Sequence, residues 1–154
     1  MCLILSGKVG SNIASELGTM RVTQQIDALE IMGINSASYL ILPKILGLIT
    51  IMPFLVIFSA ATGIIGAYAT AYLAHIITPV DLTAGLQHDF NPWFMWMSII
   101  KGFFFAFVIS SVSSFMGYTV KGGSVEVGKA STDAVVCSSV LILFSDVFLT
   151  QMLS

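Results

Sequence analysis

Residues 45–74 read ILGLITIMPFLVIFSAATGIIGAYATAYLA, 30 positions without Asp, Glu, Lys, Arg or His. Drawn as a helix, the stretch is about 45 Å long, against a bilayer hydrocarbon core of about 30 Å. Folded into a hairpin, it would give two halves of about 15 residues, each too short to cross. One long helix over residues 39–75, tilted or projecting beyond the bilayer, is therefore expected. Pro53 is placed to kink it, and Gly63 and Gly66 to let another helix approach. Two further stretches can span. Residues 93–118 are interrupted only by Lys101, and residues 134–153 only by Asp146. The expected fold is an all-α polytopic transmembrane bundle with three full membrane spans.

Composition agrees. Of 154 residues, 56% are hydrophobic and 9% charged, where a soluble domain carries about 25% charged residues. A soluble enzyme domain, a disordered segment and a disulfide scaffold are excluded. The net charge of −2 leaves no basic footprint for nucleic acid. Cys2 and Cys137 are isolated and define neither a disulfide framework nor a metal spacing. Residues 2–5 are too short for a signal-peptide core, and Lys8 follows them rather than precedes them.

Orientation follows from the basic residues. Lys8, Arg21 and Lys44 precede the first span, and Lys121 and Lys129 lie between the second and third. The 76–92 loop has no Lys or Arg but holds Asp81 and Asp89. The positive-inside rule places the N-terminal region and the 119–133 loop in the cytoplasm, and the 76–92 loop and the C-terminus outside. Trp93 and Trp96 suit the outer aromatic belt, Tyr39 and Tyr118 the inner one.

Residues 7–18 carry two rows of small side chains at helical spacing: Gly7, Ser11, Ser15 and Gly10, Ala14, Gly18. Such rows allow close helix approach, so this segment is expected to pack inside the bundle. Residues 20–32 read as a short amphipathic helix. Val22, Ile26 and Leu29 form one stripe, and Thr23, Gln24, Asp27 and Glu30 are polar. Gly33 supplies the stop and Asn35-Ser36 the turn. Such a helix suits a partner protein or the lipid interface equally.

The stretch LILSGKVGSNIASELGTMRVTQQIDALEIMGINSASYLILPKIL (residues 3–46) closely resembles the signature region of MlaE-like permeases. These are membrane subunits of lipid-transporting ABC systems. KGGSVEVGKASTDAVVCSSVLILFSDVFLT (residues 121–150) resembles the same family's C-terminal segment, and the likeness covers essentially the whole chain in order. Family members begin with an interfacial helix and further membrane segments upstream of the part matched here, so a fragment or an incomplete gene model is expected.

The resemblance implies a homodimer in the bacterial inner membrane. It implies a cytoplasmic ABC ATPase docked through a coupling helix, an MCE-domain lipid-binding protein at the outer face, and membrane lipid as cargo. Residues 20–33 fall where the family's coupling helix lies, which assigns docking to Arg21, Gln24, Asp27, Glu30 and Gly33. Asp27-Ala28-Leu29 followed by Gly33 loosely echoes the Glu-Ala-Ala-x-x-x-Gly pattern of other ABC importers. ATP hydrolysis belongs to the partner, so this chain is expected to be no enzyme and to need no cofactor or metal. A cavity between protomers would take the lipid, with Leu55, Phe58, Thr62 and Tyr72 as expected lining positions.

Other patterns yield to plainer readings. Gly123 to Lys129 spells G-x-x-x-x-G-K, but Ala130 stands where a phosphate-binding loop needs Ser or Thr, and no strand precedes it. A glycine-rich turn is the better reading. His75 and His88 lie near Asp81 and Asp89 without a metal spacing. Ser110, Ser111, Ser113 and Ser114 have no neighbouring base and suit helix packing.

Lys101 and Asp146 each lie about eight residues inside the outer end of their spans, about 12 Å deep. A lone charge there costs at least about 2.5–3.5 kcal/mol, and opposite charges at one depth relieve each other. A Lys101–Asp146 ion pair is therefore expected, structural or gating in role. The same charges motivate one alternative to the ABC permease, an ion-coupled secondary transporter; a membrane scaffold without transport is a further alternative.

Overall fold

The computed structural model describes residues 1–74, 79–88 and 91–153. Every element among them is helical. In chain order these are α1 (Cys2–Leu5), a π-helical turn (Ser6–Gly10), α2 (Ser11–Val22), α3 (Gln25–Ile31), α4 (Ser36–Ala74), α5 (Pro79–His88), α6 (Pro92–Tyr118) and α7 (Ser124–Leu153). The protein is an all-α bundle in which α4, α6 and α7 are each long and apolar enough to cross a membrane.

The packing helix expected over 7–18 is part of a longer rod. α1, the π turn and α2 follow one another without a break from Cys2 to Val22. The rod lies in the angle between α6 and α7. Ser6 Oγ meets Ser139 Oγ at 3.0 Å, and Ser131 Oγ donates to the Ser11 carbonyl at 3.2 Å. Lys8, read from sequence as lying on the cytoplasmic side, therefore sits alongside α7 between those two levels.

One of the two small-residue rows makes the close approach. Ala14 is fully buried, and a Cβ on Gly10 would come within 2.8 Å of Ser113 Oγ. A Cβ on Gly18 would press against Val127 at 3.1 Å. The other row does less, since a Cβ on Gly7 would meet nothing within 4 Å. A Cβ on Gly63 or Gly66 would likewise meet nothing within 4 Å.

α6 is the central element and packs against α2, α4 and α7. Of its most apolar stretch 39% is buried, against 11% for α4 and for α7. The core joins Leu48 and Met52 of α4 to Phe105, Ala106 and Ile109 of α6 and Ile142 of α7. Cys2, Leu5 and Val9 of the rod pack onto it.

Capping explains several boundaries. Asn35 Oδ1 accepts from the Ser38 amide at 3.3 Å, which opens α4 at Ser36. Pro43 and Pro53 both lie inside α4. Asn91 accepts from the Trp93 amide at 3.1 Å with Pro92 in the first helical position, which opens α6.

Two connections expected as loops are largely helical. α5 occupies residues 79–88, and α7 begins at Ser124, ten residues before the apolar run at 134. Ser124 to Lys129 of the G-x-x-x-x-G-K pattern therefore lie in a helix, and the α6–α7 turn is only 119–123, with Gly122 at φ +125°. His75 and Asp89 lie outside the described residues.

Candidate functional site

The single amphipathic helix expected over residues 20–33 is two elements. α2 runs to Val22, the chain turns at Thr23 and Gln24, and α3 begins at Gln25. Gln24 takes φ 60°, a left-handed conformation that costs a non-glycine residue roughly 1–2 kcal/mol. The stripe of Val22, Ile26 and Leu29 is therefore split between helices. Ile26 alone of the three is fully buried. α3 closes with a Schellman motif: the Ile34 amide donates to the Leu29 carbonyl at 3.1 Å, and the Gly33 amide to the Glu30 carbonyl at 3.0 Å. Gly33 at φ +76° is the residue that permits this.

The carboxylates of this segment have partners within the chain while remaining exposed. Arg21 Nη1 donates to Asp27 Oδ1 at 2.8 Å. The guanidinium carbon of Arg21 lies 5.6 Å from the centre of the Tyr118 ring. Glu30 Oε1 accepts from Ser36 Oγ at 3.0 Å and from Tyr118 OH at 3.1 Å. Lys44 pairs with Glu16 nearby. Gln24 acts through its backbone turn and Gly33 through its conformation. What stands out instead is apolar: Ile31 is 87% exposed and Met32 65%, at the tip of the α3 turn.

At the other end, Lys101 Nζ lies 3.0 Å from Asp146 Oδ1 and donates to Thr150 Oγ1 at 2.7 Å. Lys101 belongs to α6 and Asp146 to α7, antiparallel neighbours, so equal depth brings them together. Lys101 is largely buried while Asp146 keeps about half its side-chain surface on the isolated chain. The pair lines a cleft of about 330 Å³ with Cys2, Val56, Ser59 and Phe105. Thr150 follows Asp146 by one helical turn, a spacing visible in the sequence.

Leu55, Phe58, Thr62 and Tyr72 fall on one side of α4 at 3.6 residues per turn. Phe58 and Tyr72 are 66% and 69% exposed and Leu55 is half-buried. Thr62 is exposed, with its hydroxyl turned back to the Phe58 carbonyl at 2.9 Å. Leu55 and Phe58 join Ile51, Phe54, Ile57 and Ala61 around an apolar groove of about 510 Å³; Thr62 and Tyr72 lie beyond it.

Tyr118 and Ser36 were not foreseen as site residues. Their bonds to Glu30 span 88 and 6 positions, and nothing local marks the longer one.

Residues 1–152 match the family model described as Permease MlaE. A protein of Rickettsia bellii named "Probable ABC transporter permease protein" is 38% identical over 97% of this chain and 58% of its own length. One of the same printed description from Synechocystis is 30% identical over 98% of this chain and 57% of its own. The Arabidopsis thaliana chloroplastic protein TRIGALACTOSYLDIACYLGLYCEROL 1 is 31% identical over 97% of this chain and 43% of its own. The chain thus spans less than three-fifths of the length of these relatives. With the matched residues covering nearly all of it, the chain belongs to the MlaE permease family.

Proposed function

We propose that this chain is the membrane permease subunit of an ATP-driven transporter of phospholipid or a related amphiphile. The carrying observation is α4: only 11% of its most apolar stretch is buried within the chain, and a groove of about 510 Å³ along it is walled by Ile, Leu, Phe and Ala. Such a surface suits acyl chains rather than an aqueous solute. Two protomers facing each other through α4 would enclose a lipid cavity lined by Leu55, Phe58, Thr62 and Tyr72. ATP hydrolysis would take place in a separate cytoplasmic ABC ATPase, docked on α3. The exposed Ile31 and Met32 supply the docking surface in place of the internally bonded carboxylates.

The end bearing α3, Lys44 and Lys129 faces the cytoplasm by the positive-inside rule. The α5 end and the C-terminus then face the periplasm, where an MCE-domain protein would exchange lipid with the permease in the bacterial inner membrane. The Lys101–Asp146 pair favours one second reading, ion-coupled transport, because charges within a membrane span commonly mark ion pathways.

The test is reconstitution of the permease with its ATPase in vesicles of phosphatidylethanolamine and phosphatidylglycerol carrying a fluorescent phospholipid. ATP-dependent lipid movement supports the proposal. Movement driven by a pH gradient without ATP would establish the second reading, and no movement under either condition would leave a scaffold.

A further inference from the structure

The charged end holds a side-chain cluster that neither packing nor docking requires. Ser36 Oγ, Tyr118 OH and Glu30 Oε1 form a closed triangle with edges of 2.9, 3.0 and 3.1 Å. Ser36 is the first residue of α4, Tyr118 the last of α6, and Glu30 lies in α3. Ser36 is 2% exposed, so its hydroxyl depends on these bonds.

Proton counting shows where the triangle is anchored. An ionised carboxylate only accepts, and each hydroxyl brings one proton. Two protons serve three contacts, so the bonds run as a chain, serine to tyrosine to glutamate or tyrosine to serine to glutamate, or converge on the carboxylate. Every arrangement ends on Glu30. Charged acceptors make the stronger hydrogen bonds, and chained bonds reinforce one another.

α3 needs such an anchor. It is seven residues long, with a left-handed turn at Gln24 before it and the Gly33 turn after it. Ile26 is its one fully buried residue. Its side-chain hydrogen bonds to the long helices, among the described residues, are Glu30 to Ser36 and Tyr118, and Asp27 to Arg21 at the end of α2. Arg21 also lies over the Tyr118 ring, which steadies the ring from a third helix. A force applied to α3 therefore reaches α4 through Ser36, and the phenol oxygen of Tyr118 both carries it to α6 and ties the ends of α4 and α6 together.

We infer that Tyr118 is the positioning residue that converts displacement of α3 into joint movement of α4 and α6. This rests on the proposed ATP-driven function, in which α3 is where the ATPase pushes. Tyr118 touches no lipid in this scheme; it acts through Glu30 and Ser36. Tyr118→Phe keeps the ring and its arginine contact and removes only the hydroxyl. Tyr39→Phe, at an exposed tyrosine of α4 near the same end, is the control.

The permease is co-purified with its ATPase and reconstituted in phosphatidylethanolamine and phosphatidylglycerol vesicles with fluorescent phospholipid. Bound ATPase, ATP turnover and lipid movement are all measured. Tyr118→Phe should bind the ATPase and hydrolyse ATP as wild type does, while lipid moved per ATP falls at least about fivefold, as expected from losing a hydrogen bond in a network anchored on a charged acceptor. Tyr39→Phe should leave that ratio unchanged. A wild-type ratio in Tyr118→Phe overturns the inference, as does a loss of transport in proportion to lost ATPase binding.

Amide hydrogen exchange gives a readout independent of transport. Residues 25–36 of Tyr118→Phe should exchange about tenfold faster while α7 keeps its protection. Unchanged exchange there overturns the link whatever the transport result. If wild-type protein moves no lipid with ATP, the proposed function fails, and the exchange result still decides whether Tyr118 holds α3.

Discussion

Gly117 of α6 and Ala14 of α2 meet backbone to backbone: a Cβ on the glycine would stand 2.6 Å from the Ala14 carbonyl oxygen and 2.9 Å from its Cα. Neither obstacle is a flexible side chain, so the helices themselves would have to part. Gly117→Ala should therefore lower stability by about 1–3 kcal/mol, the usual range for overpacking. Gly128→Ala, where a Cβ meets nothing within 4 Å, should raise it by roughly 0.5–1 kcal/mol through helix propensity. Thermal unfolding in detergent measures both. Equal effects would mean that this contact does not set the spacing of the helices.

Lys101→Ala and Asp146→Ala should each impair transport, because each leaves the partner charge alone at membrane depth. Exchanging the two residues should recover part of the activity. A double-mutant cycle on stability should give a coupling of about 0.5–3 kcal/mol. If the double alanine variant is no better than the worse single and the exchange rescues nothing, the pair has no functional role.

Photo-crosslinkers placed singly over residues 52–73 of α4 should capture lipid with a helical period. Maxima are expected near Leu55, Phe58, Thr62 and Tyr72, which share one side. A flat pattern would mean that this surface faces bulk bilayer.

Ile31→Ser and Met32→Ser should weaken co-purification with the ATPase by about 2 kcal/mol together, the size of an interface hot spot. Both side chains are exposed, so folding should be unaffected. Reversing Asp27 and Glu30 to Lys is a poorer probe. It breaks the Arg21 pair and the Tyr118 bond, and so loosens α3 directly. ATPase retention undiminished in the Ile31 and Met32 variants would move the docking surface elsewhere.

Hydropathy along the chain determined by itself that the protein has three apolar helices long enough to cross a membrane, because transfer into lipid sums over a single segment and needs no neighbours. The equal depths of Lys101 and Asp146 followed from the same counting. The rod from Cys2 to Val22 was legible only as small-residue rows, which say that something approaches but not what. Which row meets α6, and the backbone contact of Gly117 with Ala14, depended on the rotation of two helices about their axes. The break at Gln24 was invisible, since glutamine is an ordinary helix former, and tertiary packing of Ile26 outweighs its local preference. The triangle of Glu30, Ser36 and Tyr118 was likewise beyond reach. It joins positions 88 residues apart, and such a contact exists only once the register of several helices has been set by the core between them.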